Sequence, residues 1–215
     1  MVKVIGVQFN SSLKVYDFKP GRYKVSPRDL VVVETSQGLE IGRVVYVDKE
    51  VSAKEMEEPF KDIIRPADEK DLSRLEAMRQ EGNEYFKLFQ EKVTDIKLEM
   101  KPVLVEKSLE GDKLIFYFTA ESRVDFRELI KSLSRNTQKQ VLMRQIGPRD
   151  EAKMLGGYGI CGLPVCCKSF LNQAESVSMD MAREQYENNV NANKVTGACG
   201  RLMCCLAFED KKKKK

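Results

Sequence analysis

Two nine-residue stretches carry every cysteine of this chain and share one pattern. Gly159–Cys167 reads G-I-C-G-L-P-V-C-C and Gly197–Cys205 reads G-A-C-G-R-L-M-C-C, so both are G-x-C-G-x-x-x-C-C, 38 positions apart. Each is followed three residues on by a phenylalanine, Phe170 and Phe208. Cysteines used only as small hydrophobes would be scattered through a core, so this clustering points to chemistry at sulfur. The chain has no histidine, which excludes Ser-His-Asp and Cys-His nucleophile pairs, histidine acid–base catalysis and mixed Cys/His zinc sites.

Four chemistries remain for six thiols. Disulfides suit an even count, but adjacent cysteines (166/167 and 204/205) do not readily bridge each other, and a chain with a full core needs no staples. Structural zinc needs four thiolates, yet zinc knuckles space their cysteines two to four apart, and here each half carries a surplus thiol. Redox exchange prefers a C-x-x-C pair, which is missing. An iron–sulfur cluster fits best, because it takes thiolates at varied spacing from glycine-rich loops whose N–H groups can donate to sulfide. Gly159, Gly162, Gly197 and Gly200, with Gly156 and Gly157, supply such loops.

Consecutive side chains on extended backbone point to opposite sides. On that basis Cys161, Cys166, Cys199 and Cys204 are expected to form one internal set, two thiols from each half. Cys167 and Cys205 are left over, and one of them, Cys167 first, is a donor for a second cluster shared with a partner or else a buried structural thiol.

The elements that must position these loops read as α+β. Residues 1–65 are β-rich: Val2–Phe9, Leu13–Phe18, Leu30–Glu34 and Leu39–Asp48 predict short strands of a small barrel-like sheet, followed by a charged connector, Lys49–Glu58, and a possible strand at Ile63-Ile64-Arg65. Residues 66–155 predict a long helix opened by Pro66, with Leu72, Leu75, Tyr85, Phe86, Phe89 and Val93 at helical spacing, then a β-β-α-β unit. In that unit the nearly all-apolar Lys113–Phe118 is the central strand, and Ser122-x-x-Asp125 resembles a capping box for a helix over 124–134. A short helix, Arg149–Leu155, leads into the cysteine-rich region, 156–210, in which Ala174–Glu187 predicts another helix and the Asn-rich 188–194 a turn.

Of the formal net charge of +4, the lysines at 211–215 supply +5, leaving the body at −1. That run predicts a disordered tail rather than a nucleic-acid footprint. No apolar stretch approaches the length of a membrane span, and Met1–Val7 has the character of a strand rather than a signal peptide, so a reducing cytoplasmic setting is expected.

At the cysteine runs and the segments around them the sequence resembles the bacterial YaaT/RicT family. The resemblance is carried by Leu114–Ala120, Arg123–Leu129, Arg144–Lys153, Val177–Ala182 and Gly197–Cys205. It implies a non-catalytic regulatory subunit of a ternary complex with two small helical protein partners, carrying 4Fe–4S clusters. It further implies action with a membrane-associated endoribonuclease on mRNA processing, and an influence on sporulation, competence and biofilm formation. In the family a further small domain follows the second cysteine run.

Two other functions compete with this adaptor reading. Direct RNA binding would use Arg123, Arg127, Lys131, Arg135, Arg144 and Arg149, but acids interleave with these cations and leave no basic stripe. Catalysis has little to stand on, because Gly156-Gly157-Tyr158-Gly159 lacks the lysine and hydroxyl residue of a phosphate-binding loop. A structural zinc protein is the alternative for the thiols themselves.

Overall fold

The computed structural model describes residues 2–9, 15–35, 38–51, 60–109, 111–171, 176–186 and 191–210. The lysine tail, most of the connector after Val51 and part of the Asn-rich turn lie outside these residues. The chain divides into two units, Met1–Gln145 and Ile146–Lys215.

In the first unit, β-branched runs form β1 (Val2–Phe9), β2 (Val15–Phe18), β3 (Leu30–Thr35), β4 (Gly38–Val51) and β5 (Ile63–Pro66), in the order β2-β1-β4-β3-β5. All neighbours are antiparallel. Ile5, Val7, Phe9, Phe18, Val31, Val33, Val44 and Ile63 form the core on one face. Of the small barrel or curled sheet that the strand spacing suggested, the structure shows an open five-stranded sheet and not a closed barrel. Its edge strands meet only at one bridge, Lys19 with Asp62, where Lys19 N donates to Lys61 O (2.9 Å) and Ile63 N to Lys19 O (3.0 Å). Among the described residues no further pairing joins β2 and β5, each four residues long, so the edges stay open.

Pro66 does not open the long helix. It ends β5, opposite Val31 on an edge strand, where its missing N–H is tolerated. The helix α1 spans Glu69–Ile96, and its start is fixed by a capping box. Asp71 N donates to Asp68 Oδ1 and Asp68 N to Asp71 Oδ2, both at 2.9 Å. Arg65 joins this cap through Nη2 to Asp71 Oδ1 (3.0 Å) and holds the Asp71 carboxyl below its ordinary range. Mid-helix Gly82 is explained by close approach, since a Cβ there would lie 2.8 Å from Val105 O.

The β-β-α-β unit forms as expected. β6 (Lys101–Lys107) pairs antiparallel with β7 (Lys113–Thr119), and β8 (Gln140–Gln145) returns parallel on the other side of β7 after α2 (Arg127–Thr137). Five consecutive residues of β7, Leu114 to Phe118, are buried, which suits its central place. α1 and α2 cover this sheet, burying Phe89, Val93, Leu129 and Leu133 against Leu114, Phe116 and Phe118. The expected Ser122/Asp125 box does not form, and α2 starts three residues later than predicted, at Arg127. The Asp125 carboxylate is engaged instead by Arg127, accepting from its backbone N (3.1 Å) and its guanidinium (2.6 Å).

One polar group stands out in this unit. Glu106 of β6 accepts from Tyr117 Oη at 3.2 Å. Burial, reinforced by the nearby Glu40 carboxylate, pushes its pKa up to about 7, against the pull of the Tyr117 hydrogen bond, Arg144 and Arg79.

The second unit is made of short pieces: α3 (Pro148–Leu155), α4 (Cys166–Ser169), α5 (Met179–Gln185), α6 (Ala192–Val195) and α7 (Cys204–Phe208). The helix expected over 174–187 is realised as α5, whose start is set by Ser178 Oγ accepting from Met181 N (3.3 Å). A small core of Ala182, Val195 and Leu206 lies beneath, with Val177, Tyr186, Leu202 and Met203 packed on it. Among the described residues, no helix is long and apolar enough to cross a membrane.

Candidate metal centre

The sequence repeat is a structural repeat. In the first half Gly159 N donates to Leu163 O (2.8 Å), Gly162 N to Gly159 O (3.0 Å) and Val165 N to Gly157 O (3.1 Å). In the second half Gly197 N donates to Arg201 O (2.8 Å), Gly200 N to Gly197 O (2.9 Å) and Met203 N to Val195 O (2.9 Å). Each of these bonds is its counterpart moved by 38 positions. The bridges Tyr158–Pro164 and Thr196–Leu202 match in the same way. Gly162 and Gly200 turn the loops at φ +76° and +74°, the left-handed region that only glycine enters cheaply. Each loop then delivers its cysteine pair to the first turn of a short helix, α4 or α7.

That last step changes the geometry expected of the adjacent cysteines. Cys166-Cys167 and Cys204-Cys205 are helical rather than extended, so neighbouring side chains diverge by about 100° instead of pointing to opposite sides. Both thiols of a pair are therefore free to face the other half.

The halves meet around an approximate twofold relation. Phe170 and Phe208, equivalent residues, stack edge to face with centroids 5.3 Å apart. The thiols influence one another across the same junction. Burial pushes the Cys167 thiol up, and Cys204 and Cys199 add to the shift. Burial likewise raises Cys204, with Arg149 opposing and Cys199 and Cys166 reinforcing. Cys205 is raised by burial, by Glu209 and by Cys166. The Cys167–Cys204 and Cys166–Cys205 pairs exchange under the 38-residue shift, as a twofold contact requires.

Of the six thiols, Cys167 is buried, Cys166, Cys199, Cys204 and Cys205 are half-buried, and Cys161 is exposed. The exposed Cys161 Sγ folds back over its own loop, 3.4 Å from where a Cβ on Gly159 would sit. Cys167, offered from sequence as the donor to a partner-shared cluster, is thus the thiol a partner reaches least easily. Among the described residues no three Cys, Asp or Glu side chains are grouped closely enough to hold a single metal ion. A tetrahedral zinc site with Zn–S near 2.3 Å needs sulfurs about 3.8 Å apart, and the described thiols as they stand do not form one.

The helix before the first loop contributes two cations that the sequence reading did not connect with the thiols. Arg149 donates from Nη2 to Leu202 O in the second loop (3.2 Å) and draws the Cys204 thiol down. Its Nε is buried with no acceptor among the described residues. Lys153, one turn on, is only 8% exposed. Burial lowers its pKa, while Cys167 and Asp150 pull it back up. The signal was present as two cations at i and i+4 on a helix ending just before the first cysteine loop. Lys168 of α4 completes the junction by donating to Met154 O (3.0 Å) and Leu155 O (3.3 Å) at the end of α3.

Five thiols from the two loops feel one another's charge, and Arg149, whose Nε is buried without an acceptor among the described residues, draws Cys204 down. The cations offered above for RNA are placed differently. Arg127, Lys131 and Arg135 line a groove together with Asp95, Asp125 and Glu128, so the surface there carries both signs. Arg144 is engaged electrostatically with Glu106, Glu40 and Tyr117.

An α+β unit with a three-stranded β-β-α-β sheet, followed by a duplicated cysteine loop, is the class that these observations define, and comparison with known proteins assigns it. The chain belongs to the PSP1 family: residues 61–146 match the PSP1 C-terminal conserved region and residues 176–214 the third domain of PSP1-like proteins. It is 45% identical over 210 residues to the stage 0 sporulation protein YaaT of Bacillus subtilis (strain 168), covering 98% of this chain and 76% of that protein. No solved structure matches significantly.

Proposed function

We propose that this protein is a non-catalytic regulatory adaptor whose twin cysteine loops hold an iron–sulfur cluster of the 4Fe–4S type. The observation that carries the reading is the convergence of α4 and α7, whose ends stack Phe170 on Phe208 and whose thiols feel one another's charge.

When bound, such a cluster supplies an oxidation-labile anchor for both loops. The chain's own part is to present the thiolates, shape the loops at Gly162 and Gly200, and clamp the halves through Arg149, Lys168 and the Phe170–Phe208 pair. The first loop carries Tyr158, Ile160 and Leu163 in the open, 73%, 62% and 65% exposed, with Leu155 beside them. An apolar face of that kind suits docking of small helical protein partners. The relative's name ties it to stage 0 of sporulation. That kinship supports reading this chain as part of the same kind of control, and in our reading it acts in the cytoplasm on endoribonuclease-dependent mRNA processing and thereby on sporulation, competence or biofilm development.

Purification without oxygen tests the reading. Brown protein with iron and acid-labile sulfide, bleached by air and abolished by Cys204→Ala, is expected. Colourless protein with stoichiometric zinc would assign the loops to a structural zinc site instead. Loss of colour on Cys205→Ala with retention on Cys204→Ala would refute the role given to Cys204.

A further inference from the structure

We propose that Lys168 is the positioning residue of the first cysteine pair, tying α4 to the end of α3 so that Cys167 stays shielded while its twin Cys205 stands more open. The inference goes beyond the cluster reading above, because the tie joins protein groups and is present whichever metal the loops take.

The duplicated loops serve as controls for each other. In both, the residue before the pair bonds back to the segment preceding the loop, Val165 N to Gly157 O (3.1 Å) and Met203 N to Val195 O (2.9 Å). These bonds are common to the two halves and do not distinguish them. What differs is the face each short helix buries. α7 buries Leu206 and Ala207 and leaves Cys205 half-buried. α4 buries Cys167 and leaves Lys168 and Ser169, the equivalents of Leu206 and Ala207, exposed.

The residue after each pair accounts for the contrast. Leu206 lies in the small core with Val195 and Ala182, which holds α7 by an apolar side chain. The equivalents of Val195 and Leu206 in the first half are Gly157 and Lys168, which offer no such contact. Lys168 Nζ instead donates to Met154 O (3.0 Å) and Leu155 O (3.3 Å), carbonyls that the end of α3 leaves without helical partners. Gly156 makes room for it: a Cβ there would lie 2.9 Å from both Cδ and Nζ of Lys168. The second half has Lys194 at that position. Glycine, lysine and carbonyls thus form one fitted joint on the first half alone. Reaching Cys167 requires this joint to open, whereas Cys205 is partly accessible as it stands.

The test is a timed pulse of iodoacetamide on the full-length protein purified without oxygen, read at each cysteine by fragment-ion mass spectrometry. Wild type, Lys168→Met, Lys168→Gln and Lys168→Arg are compared, with iron and sulfide measured alongside. In the wild type Cys205 should label faster than Cys167. Lys168→Met, which keeps the length and removes the donor, should speed Cys167 about tenfold, as loss of hydrogen bonds from a charged donor predicts, and leave Cys205 unchanged. Lys168→Arg should restore the slow rate, and Lys168→Gln, with a neutral donor, should fall between; these two carry the test should Lys168→Met not fold. A Lys168→Met protein that labels Cys167 at the wild-type rate overturns the inference. Equal acceleration at Cys205 overturns it as well, because it would mark general loosening of the unit. A wild type without iron and sulfide overturns the cluster reading and leaves this inference to be decided by the labelling rates.

Discussion

Residues 2–145 bury large side chains such as Phe89, Leu114, Phe116, Tyr117, Phe118, Leu129 and Leu133 almost completely, whereas the buried apolar residues described within 146–210 are smaller, Val165, Cys167, Ala182, Val195, Leu206 and Ala207, with Val177, Tyr186, Leu202 and Met203 packed on three of them. The first unit has large side chains fixed on long regular elements; the second has short helices and tight loops, with its big apolar residues, Tyr158, Ile160, Leu163 and Phe170, turned outward. Burial at about 25 cal/mol per Å² accounts for the order of the first. The second spends its sequence on glycines, thiols and a few cations.

The largest expected effect breaks the molecule along that contrast. Chelation or air oxidation of cluster-loaded protein should abolish protease resistance within 146–210 while 2–145 stays protected, as mapped by limited proteolysis and mass spectrometry. Equal protection of both units before and after iron loss would remove the contrast. Next comes Phe89→Ala, which deletes a fully buried ring packed edge to face on Phe116 (centroids 5.1 Å). It should cost about 3–5 kcal/mol in denaturant unfolding of the first unit and leave iron content unchanged.

A pH titration sharpens the comparison from the other side. The Glu106 carboxyl, ordinarily near 4.5, is held at about 7 in the folded chain. The folded state therefore binds the extra proton between those values, so its stability is fullest below about pH 4.5 and declines as pH rises through 7. The wild type should lose on the order of 2 kcal/mol between pH 5 and 8 relative to Glu106→Gln, read from unfolding midpoints of the first unit.

The loops permit a finer test. Gly162→Ala and Gly200→Ala meet no atom within 4 Å of the new Cβ, so backbone strain alone acts, about 1–2 kcal/mol each. Equal losses would mark the halves as energetically duplicated; unequal losses would show that one loop leads. Smallest is the ring pair: a double-mutant cycle on Phe170 and Phe208 should give a coupling of about 0.5–1.5 kcal/mol.

Much of this was legible in the residues. The alternation and apolar runs of β1 to β8 are local, the periodicity of α1 is local, and the glycines of both loops announce their turns by type. Two starts were misread for a common reason. Pro66 and Ser122 carry helix-initiating preferences, but pairing with β3 claimed Pro66 and the Asp125–Arg127 bonds reset the entry to α2. The open edge of the first sheet was equally hidden, because closure depends on how the edge strands tilt and stagger and not on strand count.

Sequence by itself determined that two identical thiol-bearing turns exist, since a nine-residue backbone pattern is written in its glycines and needs no distant contact. Only the tertiary structure decided that adjacent cysteines begin helices, that Phe170 stacks on Phe208, and that Arg149 reaches across to Leu202 O. Those relations are set by how α3, α4 and α7 pack, a balance of many weak contacts among residues far apart in the chain, and no short stretch encodes it.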